Sequence, residues 1–218
     1  MRLAHCADIH IRALSRHDEY RDAFERFILS CKENEVEHIF VGGDIFHTKT
    51  IGISPEYIEL LTWWLNAMST IAHVHLILGN HDGNLVNASR QDAVSPIVDA
   101  ISNPKVRLYK RSGTYAIESG INLCVFSLFD VDGWASVKPV IGETNIACYH
   151  GPVLGSTTEV DWAVDSGLTV DFFNEFDFTL LGDIHRKQFL SFRTCEMIID
   201  ETDVDKYSDV EILEYLDS

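Results

Sequence analysis

The sequence lacks the features that mark membrane or secreted proteins. No apolar run approaches the roughly 18 residues that a membrane-spanning helix needs, and the longest, Ile121 to Phe129, has the length of a strand. Only a few apolar residues precede Asp8, too few for a secretory signal. The five cysteines are scattered without a C-x-x-C pair, which argues against a disulfide framework. We therefore expect a cytoplasmic protein that does not associate with membranes.

Basic residues are also scarce. The chain has 17 Lys and Arg against 34 Asp and Glu, a net charge of −17. This deficit argues against nucleic-acid binding, because Lys and Arg supply most of the affinity for phosphates. Part of the deficit lies in residues 196–218, and a set of metal-binding carboxylates would add to it, since bound cations restore positive potential.

The first hundred residues alternate between strand and helix patterns. The predicted strands span residues 2–7, 38–41 and 73–78, and the predicted helices span 18–34 and 54–70. A β-α-β-α-β order predicts a parallel sheet covered by helices. Ligands of such sheets bind outside the carboxyl ends of the strands.

After a short predicted helix at residues 95–102, the pattern changes at Pro104 to closely spaced strands. We predict strands at residues 106–109, 114–118, 121–128, 145–149 and 178–181, with another at 188–193. They suit a second, mixed or antiparallel sheet packed against the first. The predicted fold is α/β, with two packed mixed sheets flanked by helices. Residues 1–193 would form one domain, and residues 194–218 an acidic tail in which 208–216 could form a short helix.

Polar residues follow the predicted strands at several points. The candidates are Asp8, His10, Asp44, Asn80, His81, His150, Asp183 and His185. All offer oxygen or nitrogen and none is a cysteine, which favours Mn²⁺, Mg²⁺ or Fe²⁺, with Zn²⁺ as a further option. Eight groups exceed the needs of one ion, so they suit two ions about 3.5–4 Å apart. Each short motif is weak alone, but their conjunction at strand ends is not expected by chance.

The same motifs carry a family resemblance over about residues 1–190. D-x-H at 8–10, G-D at 43–44, G-N-H-D at 79–82, H-G at 150–151 and G-D-x-H at 182–185 together resemble the calcineurin-like metallophosphoesterase superfamily. The flanking residues 42–47 and 181–188 are most similar to SbcD-type DNA-repair nucleases, especially short phage or bacterial forms. The resemblance implies a four-layer α/β/β/α sandwich and a location in the bacterial cytoplasm, including that of a phage-infected host.

The resemblance also implies a role for each candidate. Asp8, His10 and His185 would bind one divalent ion, Asn80, His150 and Asp183 would bind the other, and Asp44 would bridge the two. His81 would contact the scissile phosphate, stabilise developing charge and protonate the leaving oxygen. A bridging hydroxide would be the nucleophile.

Two departures from the family pattern bear on function. Asp183 stands where many members have histidine, and its harder, negatively charged donor favours Mn²⁺ or Mg²⁺. Residues 194–218 do not resemble the region with which relatives cap DNA and dock an ATPase. The resemblance implies DNA, an SbcC-type ATPase subunit and a second copy of the chain as partners. The departure at residues 194–218 argues against activity on long duplex DNA.

Three functions remain open at this point. The first is a DNA endo- or exonuclease subunit of an SbcCD-like complex. The second is a phosphomonoesterase or small nucleotide phosphodiesterase, and the third is a truncated, inactive metal-binding remnant. Among the remaining polar residues, His47 is either next to the site or in solvent, and Asp82 has no assigned role. His5, His38, His73 and His75 are interpreted as structural.

Overall fold

A computed structural model describes residues 1–12, 16–47, 53–87, 90–157 and 162–185, and the backbone of 210–214. The helices of these residues are α1 (His17–Glu33), α2 (Pro55–Ser69) and α3 (Ser95–Ile101). The strands are β1 (Arg2–Cys6), β2 (His38–Val41), β3 (His73–Ile77), β4 (Val106–Tyr109), β5 (Gly113–Glu118), β6 (Ile121–Phe126), β7 (Thr144–His150), β8 (Phe178–Gly182) and β9 (Val210–Glu214). Short 3-10 turns span Val131–Ser136 and Val170–Phe173.

The first sheet has the strand order β4-β3-β2-β1-β9. Strands β1 to β4 are parallel, and their register places Cys6, Val41 and Leu76 side by side. All four strands therefore end at one edge of the sheet, as the β-α-β-α-β pattern predicted for β1, β2 and β3. The loops that carry the polar motifs leave from that edge. The assignment of residues 106–109 to the second sheet is wrong, because α3 connects β3 to β4 and the two strands pair in parallel.

The three helices cover one face of this sheet. Tyr20, Phe24, Phe27 and Cys31 recur every three or four residues along α1, and all are buried. Pro55 opens α2, where its missing N–H costs nothing. The ring of Phe24 stacks on that of Trp64 at 4.1 Å between centroids, which joins α1 to α2. This apolar layer holds the strands that present the polar loops.

The second sheet has the order β5-β6-β7-β8 and is mixed. Strands β5 and β6 form an antiparallel hairpin whose turn contains Gly120 at φ 77°, while β6, β7 and β8 are parallel. Its inner face packs against the first sheet through a buried set comprising Leu3, Phe40, Ile77, Tyr109, Leu123, Val125, Ile146, Cys148 and Leu180. The predicted α/β architecture of two packed sheets flanked by helices is confirmed.

The helix predicted at residues 208–216 is wrong. Val210–Glu214 forms β9, which pairs antiparallel with β1 from Arg2↔Glu214 to Cys6↔Val210. Without this partner the outer N–H and C=O groups of β1 would be unpaired, and β9 satisfies them. An apolar spacing over nine residues could not distinguish the two structures. The strand predicted at 188–193 lies outside the described residues, and the boundary at residue 193 stays a prediction.

Two further expectations concern thiols and membranes. Cys6, Cys31, Cys124 and Cys148 are buried free thiols, while Cys195 lies outside the described residues. In the part of the chain that the structure describes, no helix has the length and apolarity needed to cross a bilayer.

Candidate metal centre

The predicted ligands meet where the two sheets present their parallel strand ends. Asp8 follows β1, Asp44 follows β2, Asn80 follows β3, His150 ends β7, and Asp183 follows β8. Backbone hydrogen bonds tie the first two loops together, because Asp8 N–H donates to the Gly43 carbonyl at 3.1 Å and His10 N–H donates to the Asp44 carbonyl at 2.8 Å. The site is thus built from five strands of both sheets.

Several of these residues hold an unusual backbone conformation. Asp8, His10, Asp44 and Asp183 have φ values of 55°, 47°, 51° and 71°, in the left-handed region that side chains normally avoid. Such conformations cost free energy and persist where the surrounding structure imposes them, most often at functional sites. Here they turn the chain sharply at the strand ends, so that successive side chains face one pocket.

Close backbone approach brings the loops after β2 and β3 into contact. A Cβ on Gly79 would overlap the Asp44 carboxylate, so only glycine fits at this position. The neighbouring N–H of His81 donates to Asp44 Oδ1 at 2.7 Å. Asp44 is 1% exposed, and this hydrogen bond fixes its carboxylate against the loop that carries Asn80 and His81.

Three overlapping groups of side chains could each hold a metal ion. Within each group the ligand atoms lie within 4.8 Å of one another: Asp8, His10 and His185; Asp8, Asp44 and His150; and His10, Asp44 and His81. The first group is the set predicted for one ion. Asp44 belongs to the other two groups, and its oxygens lie 3.4 Å from His150 Nε2 and 3.7 Å from His10 Nε2. A carboxylate in this position could bridge two ions.

The donors fit divalent metal ions. Both ring nitrogens of His10 and Nε2 of His150 are buried, and none has a hydrogen-bond partner among the described residues. Buried polar atoms are normally paired, so these nitrogens are explained by a ligand that they would bind. The Gly42 carbonyl can only accept, so it fixes the proton of His150 on Nδ1 at 2.7 Å and directs Nε2 towards Asp44.

The protonation of the two histidines differs. Burial lowers the pKa of His10 to about 4, so its imidazole is neutral and ready to donate a lone pair. Burial also acts to lower the pKa of His150, but the nearby Asp44 carboxylate outweighs it and raises that pKa to about 9. An ion bound by His150 would therefore have to displace a proton.

Asp183 and Asn80 complete the predicted set. The N–H of Asp183 donates to both carboxylate oxygens of Asp8, at 3.0 and 2.9 Å. Burial and the nearby charges of Asp8 and Asp44 raise the pKa of Asp183. The Asp183 carboxylate belongs to none of the three ligand groups. Asn80 is half-buried in the loop after β3, between Gly79 and His81.

His81 lies closer to the ligands than the sequence analysis implied. Its Nδ1 lies 2.5 Å from the His47 carbonyl, which can only accept, so Nδ1 carries the proton and Nε2 is left for a ligand or substrate. The ring of His81 lies 5.1 Å from that of His10, and that of His47 lies 5.5 Å from His10. Of the two alternatives for His47, the structure favours the one next to the site.

Two supporting residues were missed by sequence reasoning. Asp82 is 1% exposed and accepts hydrogen bonds from the N–H groups of Gly79 at 2.9 Å and Phe46 at 3.1 Å. Burial, with the charge of Asp44, raises the pKa of Asp82 to about 7. Tyr20 donates its hydroxyl to the His10 carbonyl at 2.6 Å. The N-H-D motif already indicated that Asp82 lies near the site. The apolar spacing of α1 indicated only that Tyr20 is buried.

The fold and this constellation are of the kind found in the phosphoesterase family that the sequence matches. The sequence matches the calcineurin-like phosphoesterase family over residues 1–207, and the chain belongs to that family. Members of the family use divalent metals to hydrolyse phosphoesters.

The proteins to which this chain is similar include a viral protein and a bacterial nuclease. Protein R555 of Acanthamoeba polyphaga mimivirus, which is uncharacterised, is 37% identical over 202 residues that cover 86% of this chain. The chain spans only 15% of the length of that protein. The crystal structure of nuclease MPE of Pseudomonas putida matches this chain with a TM-score of 0.39 and 16% sequence identity. The match covers 75% of this chain and 67% of the nuclease chain.

Proposed function

We propose that this protein is a metal-dependent phosphodiesterase that acts on DNA, as a nuclease subunit of an SbcCD-like repair or recombination complex. The observation that carries the proposal is the position of Asp44. Its two carboxylate oxygens face His150 and His10, and it is shared by two of the adjoining ligand groups. Adjacent ion sites that share a carboxylate suit in-line attack on a phosphoester.

Each residue has a part in the proposed chemistry. When bound, two divalent ions would polarise the phosphate and lower the pKa of the attacking water. Asp44 would hold the two sites together, and the remaining ligands would fix their positions. His81 keeps Nδ1–H on the His47 carbonyl, so Nε2 is left to face the phosphate. Once Nε2 is also protonated, the imidazolium would stabilise developing negative charge and give the Nε2 proton to the leaving oxygen.

For the ions we propose Mn²⁺, with Mg²⁺ or Fe²⁺ as alternatives. The donor set combines imidazoles with hard carboxylates and contains no thiolate. Imidazoles disfavour a pure Mg²⁺ site, and several carboxylates favour hard ions, so Mn²⁺ suits both.

Phosphodiesters are proposed as the substrates because the motif flanks resemble those of SbcD-type nucleases. The net charge of −17 favours a second candidate, a phosphomonoesterase or small nucleotide phosphodiesterase, because it repels long polyanions. An inactive remnant is the weakest candidate, since a decayed enzyme commonly loses ligands and this chain has all of them. An SbcC-type ATPase partner, a homodimer and a cytoplasmic location are parts of the proposal.

Substrate comparison tests the proposal. The full chain, loaded with Mn²⁺, would be assayed on bis(p-nitrophenyl) phosphate, p-nitrophenyl phosphate and linear duplex DNA, with His10→Ala as the control for contaminating nucleases. We expect the diester to be hydrolysed faster than the monoester, with loss in EDTA and recovery in Mn²⁺. Faster monoester hydrolysis would favour the second candidate. No hydrolysis by folded, metal-loaded protein would overturn the proposal.

A further inference from the structure

One stretch of this acidic chain has the opposite charge. Residues 105–111 contain four of the 17 basic residues, Lys105, Arg107, Lys110 and Arg111, and no acidic residue occurs from Ile101 to Ile117. All four side chains are exposed. These four residues are called the basic edge below.

The basic edge lies along the border of both sheets. Arg107 lies in β4, Lys105 directly precedes the strand, and Lys110 and Arg111 directly follow it. Strand β4 is the last strand of the first sheet, where β3 is its only neighbour among the described strands. Strand β5 of the second sheet lies alongside, because the rings of Tyr109 and Tyr115 are 4.7 Å apart and the Tyr115 hydroxyl donates to the Arg111 carbonyl at 2.9 Å. The cations therefore share one side of the sandwich with two tyrosines.

One end of the basic edge adjoins the metal centre. Parallel pairing places Tyr109 beside Ile77, so β4 ends level with the strand that leads to Asn80. Lys110 Nζ contacts Asp92 at 2.7 Å, and the next residue, Ala93, donates its N–H to the Asp82 carbonyl at 2.8 Å. From there the four residues of β4 run for about 13 Å, and Lys105 lies directly beyond the far end of the strand.

The charge of the basic edge is only partly neutralised. Lys110 pairs with Asp92 and Arg111 with Asp130, but Lys105 and Arg107 form no ion pair with any residue of the described ranges. The guanidinium of Arg107 lies 5.8 Å from the centre of the Tyr109 ring. By contrast, Arg16 and Arg21 at the helix face each pair with a glutamate.

We propose that the basic edge binds the phosphate backbone of DNA whose scissile phosphodiester lies at the metal centre. A track of about 13 Å spans several phosphates, since duplex DNA carries a charge about every 1.7 Å. Among polyanions we choose DNA over an acidic protein because the track ends at a site suited to phosphodiesters. This assignment rests on the proposed function and extends it, since it locates a DNA contact in a chain whose net charge opposes one.

Salt dependence of DNA binding provides the test. Lys105→Gln/Arg107→Gln removes the two unpaired cations, and Arg26→Gln/Lys32→Gln removes two exposed cations from α1 as the matched control. The Mn²⁺-loaded full chains would be titrated with a fluorescent, phosphorothioate-protected duplex, with anisotropy measured from 50 to 200 mM salt. In the same preparations, bis(p-nitrophenyl) phosphate turnover would report on the metal centre independently of DNA.

The basic-edge variant should lose about two units from the slope of log affinity against log salt. Over this salt range the wild-type affinity would then fall about 10-fold more than that of the variant. The control should keep the wild-type slope, and all three proteins should hydrolyse the small diester equally. Equal slopes for the two variants would overturn the assignment and leave the proposed function intact. Loss of diester hydrolysis in the wild type would overturn the proposed function, while a slope difference would still support the basic edge as a DNA contact.

Discussion

Asp82 reaches the loop after β2 and accepts a hydrogen bond from the backbone N–H of Phe46 through Oδ1, at 3.1 Å. Its Oδ2 accepts the N–H of Gly79 at 2.9 Å. One buried carboxylate thus joins the loop that carries Asp44 to the loop that carries Asn80. Both hydrogen bonds go to the backbone, and they fix the chain from which the two ligand side chains extend.

Asp82→Asn should therefore weaken metal binding without removing a ligand. An amide can accept only one of the two N–H groups and turns its own NH₂ towards the other. Supporting residues of this kind commonly change metal affinity by about 10–100-fold. Equilibrium dialysis against Mn²⁺ would measure the change. As the control, Asp92→Asn alters another buried carboxylate, one that caps α3, and should lower the melting temperature while metal affinity stays within a few-fold of wild type.

Asp44→Ala should abolish turnover and weaken both ions, because Asp44 faces histidines of two ligand groups. Metal content by mass spectrometry and diester turnover would be measured together. Asp99→Ala, at an exposed acid of α3, serves as the control and should match wild type. Full retention of two ions by Asp44→Ala would contradict its proposed bridging position.

His81→Ala separates two roles that the geometry allows. If His81 acts on the phosphate, the variant should lose turnover while metal content stays near two ions per chain. If His81 is a ligand, as its grouping with His10 and Asp44 allows, one ion should be lost or bound much more weakly. His81→Gln, which keeps a polar side chain of similar length, should retain metal in the first case and still fail to restore turnover.

Acid should destabilise the fold through His75. This residue bonds His38 at 2.9 Å and the Tyr109 hydroxyl at 2.8 Å, and burial with neighbouring positive charges lowers its pKa to about 3. The pKa of an unfolded-state histidine is about 6.5, so the pKa of His75 falls on folding. At pH values below 6.5 the unfolded chain binds a proton that the folded chain does not, and the free energy of unfolding therefore decreases as the pH falls from 6.5 towards 3.

Urea unfolding between pH 7.5 and 4.5 would measure this effect. The wild type should lose up to about 1.4 kcal/mol per pH unit more than His75→Gln, which can keep both hydrogen bonds but cannot be protonated. Parallel curves for the two proteins would show that His75 does not take up a proton on unfolding.

Local patterns carried much of the fold and of the site. The spacing of Phe24 and Phe27 placed α1, and the polar residues after β1 and β2 placed Asp8 and Asp44. These features depend on nearest neighbours along the chain, which a sequence displays directly. By contrast, β9 pairs with a strand about 200 residues away, and nothing local distinguishes that strand from a helical turn.

The histidine network was beyond sequence reasoning for a similar reason. His38 Nε2 contacts Glu118 at 3.0 Å, across 80 residues and between the two sheets. The same-face position of His73 and His75 could be inferred from alternation, and the ring of His38 does lie against both. The hydrogen-bond partners of His75 could not be inferred from the sequence, because they lie on other strands.

The left-handed backbone at four of the candidate ligands has a consequence for how the protein can change. At these positions the side chain that serves chemistry opposes the conformation that the loop requires. Glycine would relax the backbone and, at Asp8, Asp44 or Asp183, would also remove a negative charge from a crowded pocket. A laboratory selection for thermal stability alone should therefore accumulate glycine or asparagine at these positions and discard catalysis first.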